Sequence, residues 1–221
     1  MPITRAQVAR MIDHTMLAAY ATELDIRELC EEAAEHGFAS ATVNPVWVSY
    51  CAKKLAGTGV GIDACVGFPL GANTAAMKVE EARDAVRAGA TEIDMVMNVG
   101  AMKSGYASFV EREIAAVVKA VKGIPVKVIL ECSYLAEAEK VEACLMCRRA
   151  GAAYVKTSTG FGNGGGTVED VTLMKQTVGD DLGIKAAGGI RSLGDVLALV
   201  QAGATRIGTS AGLRILEDAD D

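Results

Sequence analysis

Four segments of this chain are near copies of one another: AEHGFAS at 34–40, VRAGATE at 86–92, RRAGAAY at 148–154 and VQAGATR at 200–206. Each runs from a helical pattern into a glycine (Gly37, Gly89, Gly151, Gly203) and then into a β-like run. Glycine at such a place can take the left-handed conformation that ends a helix. Further helix-to-strand junctions lie between the copies, in AGTGVGIDACV, VKGIPVKVIL and VGDDLGIKAAG. Strand and helix therefore alternate about every 25–30 residues, and such units must stack on their neighbours to bury a continuous core.

The pattern predicts strands over 10–13, 38–43, 60–66, 91–97, 125–131, 153–157, 183–187 and 205–208. It predicts helices over 22–36, 45–56, 73–88, 106–121, 136–149, 167–178, 192–201 and 210–217. Strands rich in Val and Ile on both faces, separated by amphipathic helices, indicate a parallel sheet covered by helices. Eight such units in 221 residues favour an α/β fold of the TIM (β/α)8 type. We expect a single domain over 1–221, with a short helix ahead of the first strand. The alternative is an open doubly wound sheet. A dinucleotide-binding version would want a glycine-rich turn after the first strand, which MIDHTMLAAY lacks.

With 51% hydrophobic but only 5% aromatic residues, the core should be aliphatic. The net charge of −6 is spread over interleaved acidic and basic residues, which argues against a nucleic-acid surface. One locally positive pocket could still hold a small anion. The opening MPITRAQVARMIDHT does not resemble a signal peptide, and no apolar run approaches the ~18–20 residues that span a bilayer. Six scattered cysteines (30, 51, 65, 132, 144, 147) read as free core thiols of a cytoplasmic chain. Cys144 and Cys147 share a helical face, but no second Cys or His pair completes a zinc spacing. We expect neither metal nor cofactor.

Barrel chemistry sits where strands end at the C-terminal face, so ionisable groups in otherwise apolar strands are the informative ones. TEIDMVMN places Asp94 in the fourth strand, AAYVKTSTGFG places Lys156 at the end of the sixth, and LGIKAAGGIR places Lys185 at the matching point of the seventh. Each could simply pair with an opposite charge in the core, since lysine is rarely buried alone. The pair of lysines also has a chemical use. An amine attacks a carbonyl only as the free base, and desolvation or a neighbouring cation disfavours the ammonium. One lysine can be the nucleophile and the other its activating cation, although charge does not say which, while Asp94 moves protons. Lys127 and Glu131, four apart in the fifth strand, read as supporting interior charges on one face.

The last three strands run into Thr157-Ser158-Thr159-Gly160, Gly188-Gly189-Ile190-Arg191 and Gly208-Thr209-Ser210. Glycines let backbone N–H groups approach an anion, and barrels often hold phosphate at these loops. Thr159 and its neighbours are therefore candidates for binding a phosphorylated substrate. Ser210 would open the short final helix as its N-cap. The run Gly162–Gly166 suits a flexible loop before a helix capped by Thr167.

YVKTSTGFGNGGGTVEDVTLM, IKAAGGIRS, GFPLGAN, EIDMVMNVGA and RIGTSAG resemble the successive motifs of the deoxyribose-phosphate aldolase family, in order from IDHT onward and over nearly the whole chain. The resemblance implies a metal-independent class I aldolase that reversibly cleaves 2-deoxy-D-ribose 5-phosphate to acetaldehyde and D-glyceraldehyde 3-phosphate. By position, it makes Lys156 the Schiff-base lysine, Lys185 the lysine that perturbs it and Asp94 the proton relay. Thr15, Leu17 and Phe68 match substrate-pocket positions, and Gly160, Gly188, Gly189, Ile190, Arg191, Gly208 and Ser210 match phosphate-binding ones.

Three departures stand out. Thr42 occupies a pocket-side position where the family often has cysteine, implying lower sensitivity to thiol-reactive aldehydes. Ala18-Ala19 replaces a common Lys-Pro, and the chain ends EDADD without the tyrosine that several members carry. Rival readings are another lysine-dependent sugar-phosphate lyase, a metal-dependent barrel using His14 and His36, and a sugar-phosphate sensor without catalysis. Barrels of this kind commonly self-associate, so a homo-oligomer is expected.

Overall fold

The computed structural model describes residues 3–220. Eight parallel strands close in chain order into a barrel. They are β1 (Ile12–Met16), β2 (Ser40–Val43), β3 (Gly61–Val66), β4 (Glu92–Val96), β5 (Val126–Ile129), β6 (Tyr154–Lys156), β7 (Gly183–Ala187) and β8 (Arg206–Thr209). β8 returns to pair with β1, Asp13 opposite Gly208, so every strand has two neighbours. Outside lie α1 (Arg5–Ala9), α2 (Glu23–His36), α3 (Val48–Lys54), α4 (Ala75–Ala88), α5 (Val99–Lys103), α6 (Ala107–Ala120), α7 (Glu137–Arg149), α8 (Val168–Val178), α9 (Leu193–Ala202) and α10 (Gly212–Glu217).

The four repeat glycines do what their spacing predicts. Gly37, Gly89, Gly151 and Gly203 have φ of 65, 113, 80 and 119°. In each copy the next residue donates back five positions, Phe38 to Ala33, Ala90 to Ala85, Ala152 to Cys147 and Ala204 to Leu199, at 2.9–3.0 Å. That bond is the mark of a Schellman helix end, and it turns the chain directly into the following strand.

Most element boundaries fall within a few residues of expectation, and three departures affect how the chain is built. β1 starts at Ile12 because α1, closed by a reciprocal Thr4–Gln7 capping box, uses Arg10 as its C-cap. α5 is an extra helix between β4 and α6, begun by Asn98, whose side chain accepts from the Ala101 N–H at 2.9 Å. α10 begins at Gly212, so Ser210 is not its N-cap; Thr209 Oγ1 instead accepts from Ala211 N at 2.9 Å.

Strand alternation divides the interior in two. Ile12, Val43, Ile62, Ile93, Val128, Ile184 and Ile207 face outward into the aliphatic layer beneath the helices, with Ile26, Leu29, Ala82, Ile114 and Val171. The intervening positions face the barrel axis. The expected aliphatic core is thus the layer between strands and helices. The lumen is ionic instead, holding Asp13, Asp63, Asp94, Lys127 and Lys185, all fully buried.

Candidate active site

At the C-terminal mouth of the barrel a cavity of about 660 Å³ opens over the strand ends. Its walls bring together Thr15 near the end of β1 and Leu17, Ala18, Ala19 and Tyr20 after it with Thr159, Gly160 and Phe161 after β6. Gly188, Gly189, Ile190 and Arg191 after β7, with Gly208 and Ser210 from β8, complete the far side. Phe68 does not line the cavity as the resemblance implied. It packs instead against Phe161, which does line the cavity, in a T-shaped pair with ring centroids 5.3 Å apart.

Lys156 closes the floor. It is the last residue of β6 and 3% exposed, and among the described residues it is the one lysine on the cavity wall. Its Nζ donates to Asp94 Oδ2 at 2.6 Å. Neither Asp94 nor Lys185 lines the cavity; both are fully buried in the lumen next to Lys156. Lys185 pairs with Asp13 at 2.6 Å, Asp63 at 2.8 Å and Asp94 at 2.7 Å. Parallel register sets Lys156 directly beside Lys185 and Lys127 beside Asp94.

Lys127 sits one layer lower, 2.9 Å from Asp63, 2.7 Å from Glu92 and 3.0 Å from Asp94. Arg206 closes the base of the network against Asp13 at 2.7 Å and Glu92 at 3.2 Å. Asp13, Asp63, Glu92 and Asp94 thus face Lys127, Lys156, Lys185 and Arg206, carboxylate for cation.

Burial disfavours every one of these charges, and partners decide the outcome. Burial pushes the Lys185 ammonium toward neutrality, but Asp13, Asp63 and Asp94 more than reverse this and raise its pKa well above the ordinary lysine value. Burial lifts the Asp94 carboxyl, but Lys127, Lys156 and Lys185 together hold it well below the usual range. Asp13 is likewise lifted by burial and then held down by Lys185, Lys127 and Arg206. Asp63 goes the other way: burial and the charge of Asp94 raise it, despite Lys127 and Lys185. Lys185 is therefore a fixed cation, which separates the two lysines in a way that the sequence could not.

The surrounding loops are packed. Glu131, at φ 55°, leaves the strand alternation and turns toward the mouth, away from Lys127. Its carboxylate accepts from the Thr159 backbone N–H at 3.3 Å and from the Thr159 hydroxyl. Gly166 donates to Gly188 O at 3.1 Å, and a Cβ at Gly165 would lie 2.1 Å from that same oxygen. The 162–166 run is a shelf pressed under the β7 turn rather than a free loop. Thr167 caps α8 as expected, accepting from Asp170 N at 3.1 Å.

Two expected placements change. Thr42 is fully buried and donates to Asp63 Oδ2 at 3.0 Å, placing it in the lumen rather than on the cavity wall. His14 points outward from β1, with Nε2 2.6 Å from Glu32 Oε2 and its ring against Phe38, so it is no part of the site. Asp13, Asp63, Glu92 and Arg206 are lumen residues that the sequence reading passed over. The signal was available: each is a charge inside a strand, in phase with the residues that face the axis.

A closed barrel presenting a primary amine at the floor of such a cavity has the architecture of a carbonyl-active barrel enzyme. The DeoC/LacD family aldolase pattern matches residues 7–218, and the chain belongs to that family. A deoxyribose-phosphate aldolase from Caldanaerobacter subterraneus subsp. tengcongensis is 55% identical over 214 residues, 96% of this chain and 93% of the relative. One from Methanothermobacter thermautotrophicus is 55% identical over 215 residues, 97% and 96% of the two chains. The tetrameric deoxyribose phosphate aldolase from Aeropyrum pernix superposes with a TM-score of 0.91 at 38% identity, covering 97% of this chain and 91% of that one.

Proposed function

We propose that the chain, as one barrel domain, is a deoxyribose-phosphate aldolase that reversibly cleaves 2-deoxy-D-ribose 5-phosphate to acetaldehyde and D-glyceraldehyde 3-phosphate, with Lys156 as covalent nucleophile. The observation that carries this reading is the placement of Lys156 alone on the cavity floor, 2.6 Å from Asp94, with the fixed cation Lys185 behind. Nζ of Lys156 adds to the substrate C1 aldehyde, and loss of water gives an iminium. Removing the C3 hydroxyl proton then breaks the C2–C3 bond. Its electrons pass into the iminium, giving an enamine and releasing D-glyceraldehyde 3-phosphate. Protonation at C2 and hydrolysis return acetaldehyde and the free amine. The iminium is the electron sink, so the scheme needs no metal.

Asp94, held against the fixed cation Lys185, moves the protons of dehydration and hydrolysis. Thr159, Gly160, the Gly188–Arg191 turn, Gly208 and Ser210 take the phosphate, with Arg191 as counter-charge, while Thr15 and Leu17 border the reacting carbons. The same reading places the enzyme in the cytoplasm as a homo-oligomer. Support comes from six buried free cysteines, which suit a reducing compartment, and from the tetrameric relative. No helix among the described residues is long and apolar enough to cross a membrane.

The test is borohydride reduction with deoxyribose 5-phosphate or acetaldehyde, followed by peptide mass mapping. A substrate-dependent adduct on Lys156 is expected. An adduct on Lys185 would reverse the two roles. No adduct despite substrate binding would leave a sugar-phosphate-binding barrel without this chemistry.

A further inference from the structure

Asp63 has no task in the scheme above, yet it is fully buried at the centre of the lumen. Oδ2 lies 2.8 Å from Lys185 Nζ and accepts from Thr42 Oγ1 at 3.0 Å, and Oδ1 lies 2.9 Å from Lys127 Nζ. The charged and titratable groups around it are Asp13 from β1, Glu92 and Asp94 from β4, Lys127 from β5, Lys156 from β6, Lys185 from β7, Arg206 from β8, and Cys65 on its own strand. Asp13 and Asp94 are held below the ordinary carboxylate range, whereas burial and the charge of Asp94 raise Asp63.

The lumen is balanced only while Lys156 is charged. Attack on the aldehyde needs the free amine, and a proton lost to bulk water would leave one buried carboxylate uncompensated, at a large cost in a low dielectric. A carboxylate that can accept the proton internally removes this penalty. Asp63 is joined to Lys156 by an unbroken series of contacts: Lys156 to Asp94 at 2.6 Å, Asp94 to Lys185 at 2.7 Å, and Lys185 to Asp63 at 2.8 Å.

We propose that Asp63 is a positioning residue that stores the proton released by Lys156 before imine formation and returns it for loss of water. Lys185 hands one proton to Asp63 Oδ2 while receiving, through Asp94, the proton leaving Lys156. One N–H bond at Lys156 breaks and one O–H bond at Asp63 forms, with Asp94 and Lys185 unchanged. In dehydration the proton runs back along the same contacts to the carbinolamine hydroxyl. That hydroxyl leaves as water, and the positive iminium now balances the carboxylate of Asp63. Thr42 suits this exchange, because its hydroxyl donates to a carboxylate and, after rotation, accepts from a carboxylic acid.

The inference rests on Lys156 being the imine-forming amine. Its test is the rate of imine formation with acetaldehyde, a substrate without a titrating phosphate, quenched by borohydride at a series of pH values. In the wild type the transfer is internal, so the rate should be flat through the neutral range. In Asp63→Asn the proton must go to solvent, so the rate should fall about tenfold per pH unit on the acid side and recover at high pH. A rate lowered by one constant factor at every pH would mean a structural role and overturn the proposal. Should Asp63→Asn fail to fold, the wild-type profile decides: a slope of one through the neutral range overturns it. Absence of any Lys156 adduct in the wild type would instead bring down the aldolase reading itself.

Discussion

Replacing Lys185 with methionine removes the lumen's central cation while nearly keeping its volume. Asp13, Asp63 and Asp94, now 2.6–2.8 Å from its Nζ, would face an apolar side chain in a fully buried site. At an effective dielectric of about 20, a unit pair 4 Å apart is worth about 4 kcal/mol. Part of the loss is recovered if Asp63, already raised, takes up a proton. Breaking a buried pair of this kind costs about 3–5 kcal/mol. For a chain of this length that corresponds to a fall in Tm of roughly 6–20 °C, within the 5–15 kcal/mol that domains usually possess.

The folded fraction at low temperature should therefore be enough to assay. Losing both the fixed cation and the proton relay should slow imine formation with acetaldehyde by about 10²–10⁴-fold. Chemical unfolding gives the first quantity, and borohydride-quenched kinetics on the folded protein give the second. If Lys185→Met unfolds at lower denaturant but forms the imine within a few-fold of the wild-type rate, Lys185 is only a structural cation and the assignment of roles fails.

Asp13 and Asp94 have depressed carboxyl pKa values, so their contribution to stability is full above the unfolded value of about 3.9 and is lost as pH falls below it. Wild-type stability should drop steeply below about pH 4, and Asp13→Asn should start lower but show a shallower fall, measured by urea midpoints against pH. Gly165→Ala should push the β7 turn aside, since its Cβ would meet Gly188 O at 2.1 Å. With overpacking worth about 1–3 kcal/mol, KM for deoxyribose 5-phosphate should rise about tenfold while imine formation with acetaldehyde is little changed. Lys78 and Glu113 form a second buried pair at 2.8 Å, with the ammonium also 2.9 Å from Val96 O. Lys78→Met alone should cost about 3–5 kcal/mol, and adding Glu113→Gln should restore part of it in urea unfolding.

The repeated helix–glycine–strand unit carries the architecture in the sequence itself, because a Schellman helix end is a local device that needs only a glycine and a following apolar run. Lys156, Lys185 and Asp94 were likewise visible as charges where strand periodicity demands apolar residues. The glycine turns at 160, 188–189 and 208 were legible because backbone approach requires that residue type. The same logic, followed along every strand, would have reached Asp13, Asp63, Glu92 and Arg206, whose phase already marks them as facing the axis.

What the sequence could not supply is which carboxylate meets which cation. That depends on barrel closure and register, which bring Lys185 against residues from β1, β3 and β4, as many as 172 positions earlier in the chain. Closure alone makes Lys185 a permanent cation while leaving Lys156 one carboxylate and an open cavity. Position along a strand shows that a side chain points inward; only the folded barrel fixes the charges it meets there, and those charges set its chemistry.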